Sequence, residues 1–197
     1  MVTEEWTERI LDAAEELFYG QGIQAVGMDA VRTAAGVSLK RLYGLFPSKD
    51  ALVEAYLVRR DARWRGELER HAAVVPAGRE RILAVYDWLE QWFAEPGFRG
   101  CAFVNSFGEL GAGSPAVAAA ARAHKDAFRA WLTGLVAETG VDRTAAERLG
   151  GQLALLAEGA IALAAVSGTA LPARQAREAA RMLLEAPAPS LPAPEPC

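Results

Sequence analysis

The stretch Ala34-Ala35-Gly36-Val37-Ser38-Leu39-Lys40-Arg41-Leu42-Tyr43-Gly44-Leu45-Phe46-Pro47-Ser48-Lys49-Asp50 constrains this chain more than any other. Gly36 suits the left-handed residue that closes a helix. Ser38 suits the cap that opens the next one. Pro47 ends that second helix, because the residue before a proline avoids the α region. Ser48 then caps a third, with Asp50 favourable in its first turn. Two short helices joined by a tight turn, the second of them basic, describe a helix-turn-helix whose second helix can enter a DNA major groove.

Helical geometry divides the residues of that second helix. At 100° per residue, Leu39, Leu42, Leu45 and Phe46 fall within an arc of about 120°. Lys40 and Gly44 lie opposite, and Arg41 and Tyr43 lie on the flanks. Gly44 costs roughly 1 kcal/mol against alanine inside a helix. Close approach of another surface is one reason to keep it; a weakened, solvent-facing helix is the bland alternative. The Tyr43 hydroxyl can donate to a phosphate oxygen. Lys49 falls in the first turn of the next helix, where free backbone N–H groups also favour an anion. Lys40 and Arg41 are placed to reach base edges.

Net charge argues against a DNA binder until it is mapped. The chain of 197 residues carries −4. Residues 1–31 hold Arg9 against Glu4, Glu5, Glu8, Asp12, Glu15, Glu16 and Asp29, a net −6. Residues 32–65 hold Arg32, Lys40, Arg41, Lys49, Arg59, Arg60, Arg63 and Arg65 against Asp50, Glu54 and Asp61, a net +5. The positive charge thus gathers on and just after the motif, although basic clusters on helices are usually solvated faces.

The rest of the chain is predicted to be helical. Trp6, Ile10, Ala14, Leu17 and Phe18 repeat at helical spacing in a first helix that Gly20 and Gly22 end. Residues 28–35 form a second, with Val31, Ala34 and Ala35 inward. A fourth runs from Ser48 to about His71, with Leu52, Val53, Tyr56 and Leu57 on its apolar side. A fifth carries Ile82, Leu83, Tyr86, Leu89, Trp92 and Phe93. Residues 98–110 are helical in part. Ser114 and Pro115 open a further helix, segments 115–138 and 143–167 are Ala-rich and helical, and Leu171-Pro172 opens the last, to about Glu185. Five prolines in Pro187–Cys197 predict a disordered tail. The expected fold is all-α, with about nine helices.

At 52% hydrophobic and 23% charged the chain is globular. Cys101 and Cys197 form no C-x-x-C pair, which argues against structural disulfides or zinc. No basic-then-apolar leader is present. The longest nearly apolar run, Leu153–Val166, is interrupted by Glu158 and too short to span a bilayer. A cytoplasmic protein without membrane partners or cofactors is expected.

With these residues in place, Thr7–Asp61 resembles the DNA-binding domain of the TetR family of bacterial transcription repressors. The resemblance rests on Ile10-Leu11-Asp12-Ala13-Ala14, Leu17-Phe18, Gly22, Ala35-Gly36-Val37-Ser38, Leu42-Tyr43 and Phe46-Pro47-Ser48-Lys49-Asp50-Ala51-Leu52, over a quarter of the chain. It implies a helix-turn-helix domain (1–47), a divergent domain that binds a small effector and dimerises through its last two long helices (48–186), and the tail (187–197). Tyr43 matches the family tyrosine that holds a phosphate, Lys49 the lysine at the start of the fourth helix, and Ser38 the cap of the recognition helix. Gly27, Leu39 and Leu45 depart from the usual threonine and polar residues there. The implied activity is a ligand-responsive repressor that binds a palindromic operator as a homodimer and is released by a small apolar or aromatic effector. Its candidate DNA contacts are Arg32, Ser38, Leu39, Lys40, Arg41, Tyr43, Gly44 and Lys49.

In the second domain, many large aromatics with a few polar residues describe an apolar ligand pocket; ordinary core is the bland alternative. The candidates are Trp88, Trp92, Phe103, Asn105, Phe107, Glu109, His124, Phe128, Trp131 and Glu158. Glu158, flanked by Leu153–Leu156 and Ala160–Val166, must find a partner, face water or be protonated. It can balance a cationic ligand or sit at a dimer seam. The small residues Gly151, Ala154, Gly159, Ala162 and Ala165, with Ala176, Ala179, Met182 and Leu183, suit a four-helix dimer interface. Two other classes stay open. One is a helical interaction protein without DNA binding; the other is an enzyme using Cys101 and His124, for which no H-E-x-x-H, G-x-S-x-G or P-loop motif speaks.

Overall fold

The computed structural model describes residues 2–186, so the expectation for Pro187–Cys197 lies outside the described residues. Among them are nine α-helices and no strand: α1 (Val2–Gln21), α2 (Met28–Ala35), α3 (Leu39–Leu45), α4 (Lys49–Ala73), α5 (Arg79–Phe93), α6 (Ala102–Leu110), α7 (Pro115–Ala137), α8 (Arg143–Ser167) and α9 (Leu171–Glu185). The helices start and stop where capping chemistry places them. Gly36 closes α2 at φ 64°, in the left-handed region that favours glycine. Ser38 accepts from the Arg41 N–H, Ser48 from Ala51 and Ser114 from Val117.

Helices α1 and α2 pack on each other, and α4 packs on both α1 and the helices behind it. The apolar arc of α3 is narrower than its wheel suggests. Leu42 is fully buried and Phe46 nearly so, whereas Leu39 is 52% exposed. Burying a leucine stabilises by roughly 2 kcal/mol, so Leu42 and Phe46 dock the helix while Leu39 adds nothing to the core. Ala34, expected inward, is exposed; Val31 and Ala35 are buried and Met28 packs partly against the core, so these three hold α2 in place.

Behind this unit, α5, α7, α8 and α9 form an interlocked set, with α6 laid against α7. Helix α8 is longer than its uninterrupted apolar run. By length and mean hydropathy (1.7 over its most apolar stretch) it could cross a membrane. Here it packs along α7 and α9 and leaves Leu155, Leu163 and Val166 exposed on its outer side.

A candidate nucleic-acid interface and the helical domain behind it

The outward side of α3 presents Leu39, Lys40, Arg41, Tyr43 and Gly44. No atom lies within 4 Å of where a Cβ on Gly44 would sit, so nothing inside the protein requires glycine there. Lys40 and Lys49 make no ion pair among the described residues, and Lys49 follows the Ser48 cap on the first turn of α4. Arg41 is held differently. Its guanidinium lies 4.3 Å from the centre of the Trp6 ring on α1, and Arg9 lies 4.7 Å from the same ring. Arg32 is bound at 2.7 Å by Asp29, one turn back on its own helix.

The remaining arginines of the basic segment do not belong to this face. Glu15 accepts from Arg59, Arg60 and Arg63 at 2.9, 2.7 and 3.1 Å, and Asp12 and Glu8 take further bonds from Arg59 and Arg63. Arg65 turns to Asp61. Three of the seven acidic residues of 1–31 and three of the eight basic residues of 32–65 are therefore two halves of one α1–α4 network. The DNA face thus carries less unpaired positive charge than the net +5 of residues 32–65.

The opposite side of that turn of α4 faces an aromatic cluster. The Trp64 ring stands edge-on to Trp88, Trp92, His124 and Phe128 at 5.1–5.8 Å. Phe103 of α6 stacks on His124 of α7 at 3.9 Å. His124 Nδ1 lies 2.6 Å from Asp61. Burial pushes His124 down, more than Asp61 lifts it. Burial pushes Asp61 up, but the Arg65 and His124 hydrogen bonds outweigh that and hold it below its usual value. Both directions describe a neutral imidazole donating its Nδ1–H to a carboxylate.

Of the expected pocket residues, Trp88, Trp92, Phe103, His124 and Phe128 come together in this buried cluster, and Trp131 joins at its edge, 6.4 Å from Phe128. Phe107 is 51% exposed on the far side of α6, and Asn105 is exposed, donating to the Arg99 carbonyl. Glu109 turns toward the N-terminal unit, where Oε2 accepts from the Gln24 N–H at 2.8 Å. Glu158 finds its partner within the chain: Lys125 donates to it at 2.6 Å and to Cys101 Sγ at 3.1 Å. Burial lowers Lys125, but Cys101 and Glu158 outweigh it and hold the ammonium above its usual value. Cys101 and His124 are thus bound to other residues rather than to each other. Trp64 and Arg60 were absent from the expected set. Both continue the α4 apolar stripe at helical spacing from Val53 and Leu57 (residues 53, 57, 60, 64, 68), which was the signal for them.

Residues 10–56 match the family described as bacterial regulatory proteins, tetR family. An uncharacterized HTH-type transcriptional regulator of Mycobacterium tuberculosis is 41% identical over 81 residues, a match that spans 41% of this chain and 40% of that relative. The crystal structure of SCO4454, a TetR-family transcriptional regulator from Streptomyces coelicolor, is 31% identical with a TM-score of 0.83, over 92% of this chain and 95% of that one. A tetr-transcriptional regulator from Streptomyces avermitilis is 30% identical with a TM-score of 0.71, over 89% and 98%. The reduced form of E. coli NemR, 23% identical with a TM-score of 0.81 over 92% and 99%, shares the fold. Identity at this level across nearly the full length of a solved regulator, with the helix-turn-helix in place, means that the chain belongs to the TetR family of bacterial regulatory proteins.

Proposed function

We propose that the protein is a transcription regulator that binds operator DNA as a homodimer, in the bacterial cytoplasm, and acts as a repressor released by a small apolar or aromatic effector. The observation that carries this reading is the free outward side of α3, where Lys40, Tyr43 and the open space at Gly44 serve nothing inside the chain. Tyr43 and Lys49 hold phosphates, Ser38 fixes the start of the helix, and Lys40 and Leu39 address base edges and thymine methyls. Arg41 reaches a base only by leaving Trp6, and Arg32 only by leaving Asp29.

Dimerisation is supported by the outward side of α8 and α9. Leu155, Leu163 and Val166, with Leu171 and Met182, are exposed apolar side chains. Gly159 and Ala162 lie between them and are also exposed, which lets a second pair of helices approach closely. Two recognition helices in one dimer then address two half-sites.

Coupling runs through one turn of α4. Arg59, Arg60 and Arg63 grip α1, while Asp61 and Trp64 meet His124 and the aromatic cluster. An effector that binds better to a state with that turn displaced shifts the dimer away from the DNA-competent state. Fluorescence anisotropy with labelled duplex from upstream of its own gene tests the reading. Wild type binds; Lys40→Ala relaxes sequence preference, and Tyr43→Ala weakens binding to all sequences alike. Absence of any specific duplex binding would leave a helical interaction protein instead.

A further inference from the structure

We infer that the effector is a flat, uncharged aromatic molecule carrying a hydrogen-bond acceptor, received by the indole N–H of Trp64. This rests on the regulator reading above and names the ligand class of its effector site. Trp64 is only 6% exposed, and its Nε1 has no hydrogen-bond partner. Buried donors are almost always paired, so an orphaned one in the middle of a domain calls for an acceptor. The Trp64 side chain lines a small space that Trp92, Phe103, His124 and Ile161 also wall, with Arg60 and Cys101 at its polar side. Ring faces and edges of this kind select a flat π system.

The charges around this space are already matched. Arg60 on its wall is bound by Glu15 at 2.7 Å, and His124 Nδ1 is taken by Asp61 at 2.6 Å. Beyond Cys101, Lys125 is bound by Glu158 at 2.6 Å. A charged ligand would enter an apolar site with no free counter-ion, which desolvation forbids. A neutral acceptor loses little and satisfies the indole.

The space between these side chains is about 10 Å³, enough for one water. An aromatic ligand therefore binds a state in which the rings have parted. The Phe103–His124 stack is the natural place, since a planar ligand can replace Phe103 against the imidazole while its acceptor faces Trp64. Phe103 belongs to α6, His124 to α7 and Trp64 to α4. Parting them moves α4 relative to α6, and binding energy that favours the parted state is what a population shift needs.

Quinoline and naphthalene test this on the full-length protein, because they share a shape and differ by one ring nitrogen that accepts a hydrogen bond. Calorimetric titration should show quinoline binding about tenfold more tightly, the worth of one satisfied donor. In the 15N-labelled protein, quinoline should move one indole N–H signal downfield, the signal that Trp64→Phe removes. Trp64→Phe should bind both compounds equally. Equal affinities in the wild type, a shift only in other indoles, or no binding of either compound overturns the inference. So does a Trp64 N–H that contacts water and ignores quinoline. If Trp64→Phe does not fold, the wild-type affinity ratio decides alone. Failure to bind DNA would sink the regulator reading and leave this ratio measurable, so the two failures are distinct.

Discussion

Two basic regions sit within one stretch of sequence and do opposite work. On α3 and the first turn of α4, Lys40 and Lys49 have no ionic partner among the described residues, and Tyr43 is 46% exposed. One helical span later, Arg59, Arg60 and Arg63 are paired with Glu8, Asp12 and Glu15. The first region is free to meet a polyanion. The second already has one, built into α1. A guanidinium 11–18% exposed and held by a carboxylate is structure, and only a cation whose counter-charge lies outside the molecule signals a partner.

The difference can be broken most forcefully at Glu15. Its carboxylate, 16% exposed, is the shared acceptor of the network. Glu15→Ala leaves Arg60 half-buried without its ion-pair partner and should cost about 2 kcal/mol of unfolding free energy. That is less than the 3–5 kcal/mol of a fully buried pair, because Asp12 and Glu8 remain for Arg59. Urea denaturation reads it; an unchanged midpoint would mean that the network contributes nothing. Tyr43→Phe should do the reverse. It should leave the unfolding free energy within about 0.5 kcal/mol and weaken every duplex roughly thirtyfold, for one phosphate hydrogen bond lost from each protomer.

Salt dependence sharpens the same contrast with a smaller signal. Each phosphate neutralised by a cation contributes about 0.9 to the slope of log K against log salt. Lys49→Gln removes one such contact from each protomer and should lower the slope by about 1.8 for the homodimer. Arg63→Gln, at a residue 46% exposed and closer to ordinary surface than Arg59, should leave it unchanged. Equal slopes for the two variants would show that the α1–α4 network opens onto DNA.

Local features were legible in the sequence because they rest on neighbouring residues. The spans of α2 and α9, the Gly36 turn, and the Ser38, Ser48 and Ser114 caps follow from residues within a turn of each other. Features that depend on long-range partners were not. Leu39 shares an arc with Leu42, yet nothing on α1 or α2 covers it. Arg41 looks like a base reader until Trp6, far away in sequence, is placed against it. Glu158 looks stranded on an apolar helix until Lys125 arrives from α7. The aromatic cluster was legible as composition, but its centre was missed, because Trp64 lies on the helix that sequence order assigns to linking the two domains.

The smallest effect comes from acid, and it should fall on the inner contacts while sparing the outer face. His124 is pushed below its ordinary value of 6.5 mainly by burial. A base with a depressed folded-state pKa is neutral in both states above 6.5, so its stabilising contribution is complete there. Below 6.5 the unfolded chain takes up the proton first, and that contribution is lost progressively as pH falls toward the folded value. Asp61 is held below its usual value and Arg65 and Lys125 above theirs, so the first loss belongs to His124. The melting temperature should be flat above pH 7 and decline as pH falls below 6.5, and His124→Phe should remove that decline. The outer side of α3 carries no histidine, the side chain whose ordinary charge change falls in this window. Duplex affinity of the protein that remains folded should therefore hold where stability is already falling. A fall in affinity that precedes the fall in stability would place His124 in the coupling between the aromatic cluster and α3, through Asp61 on α4.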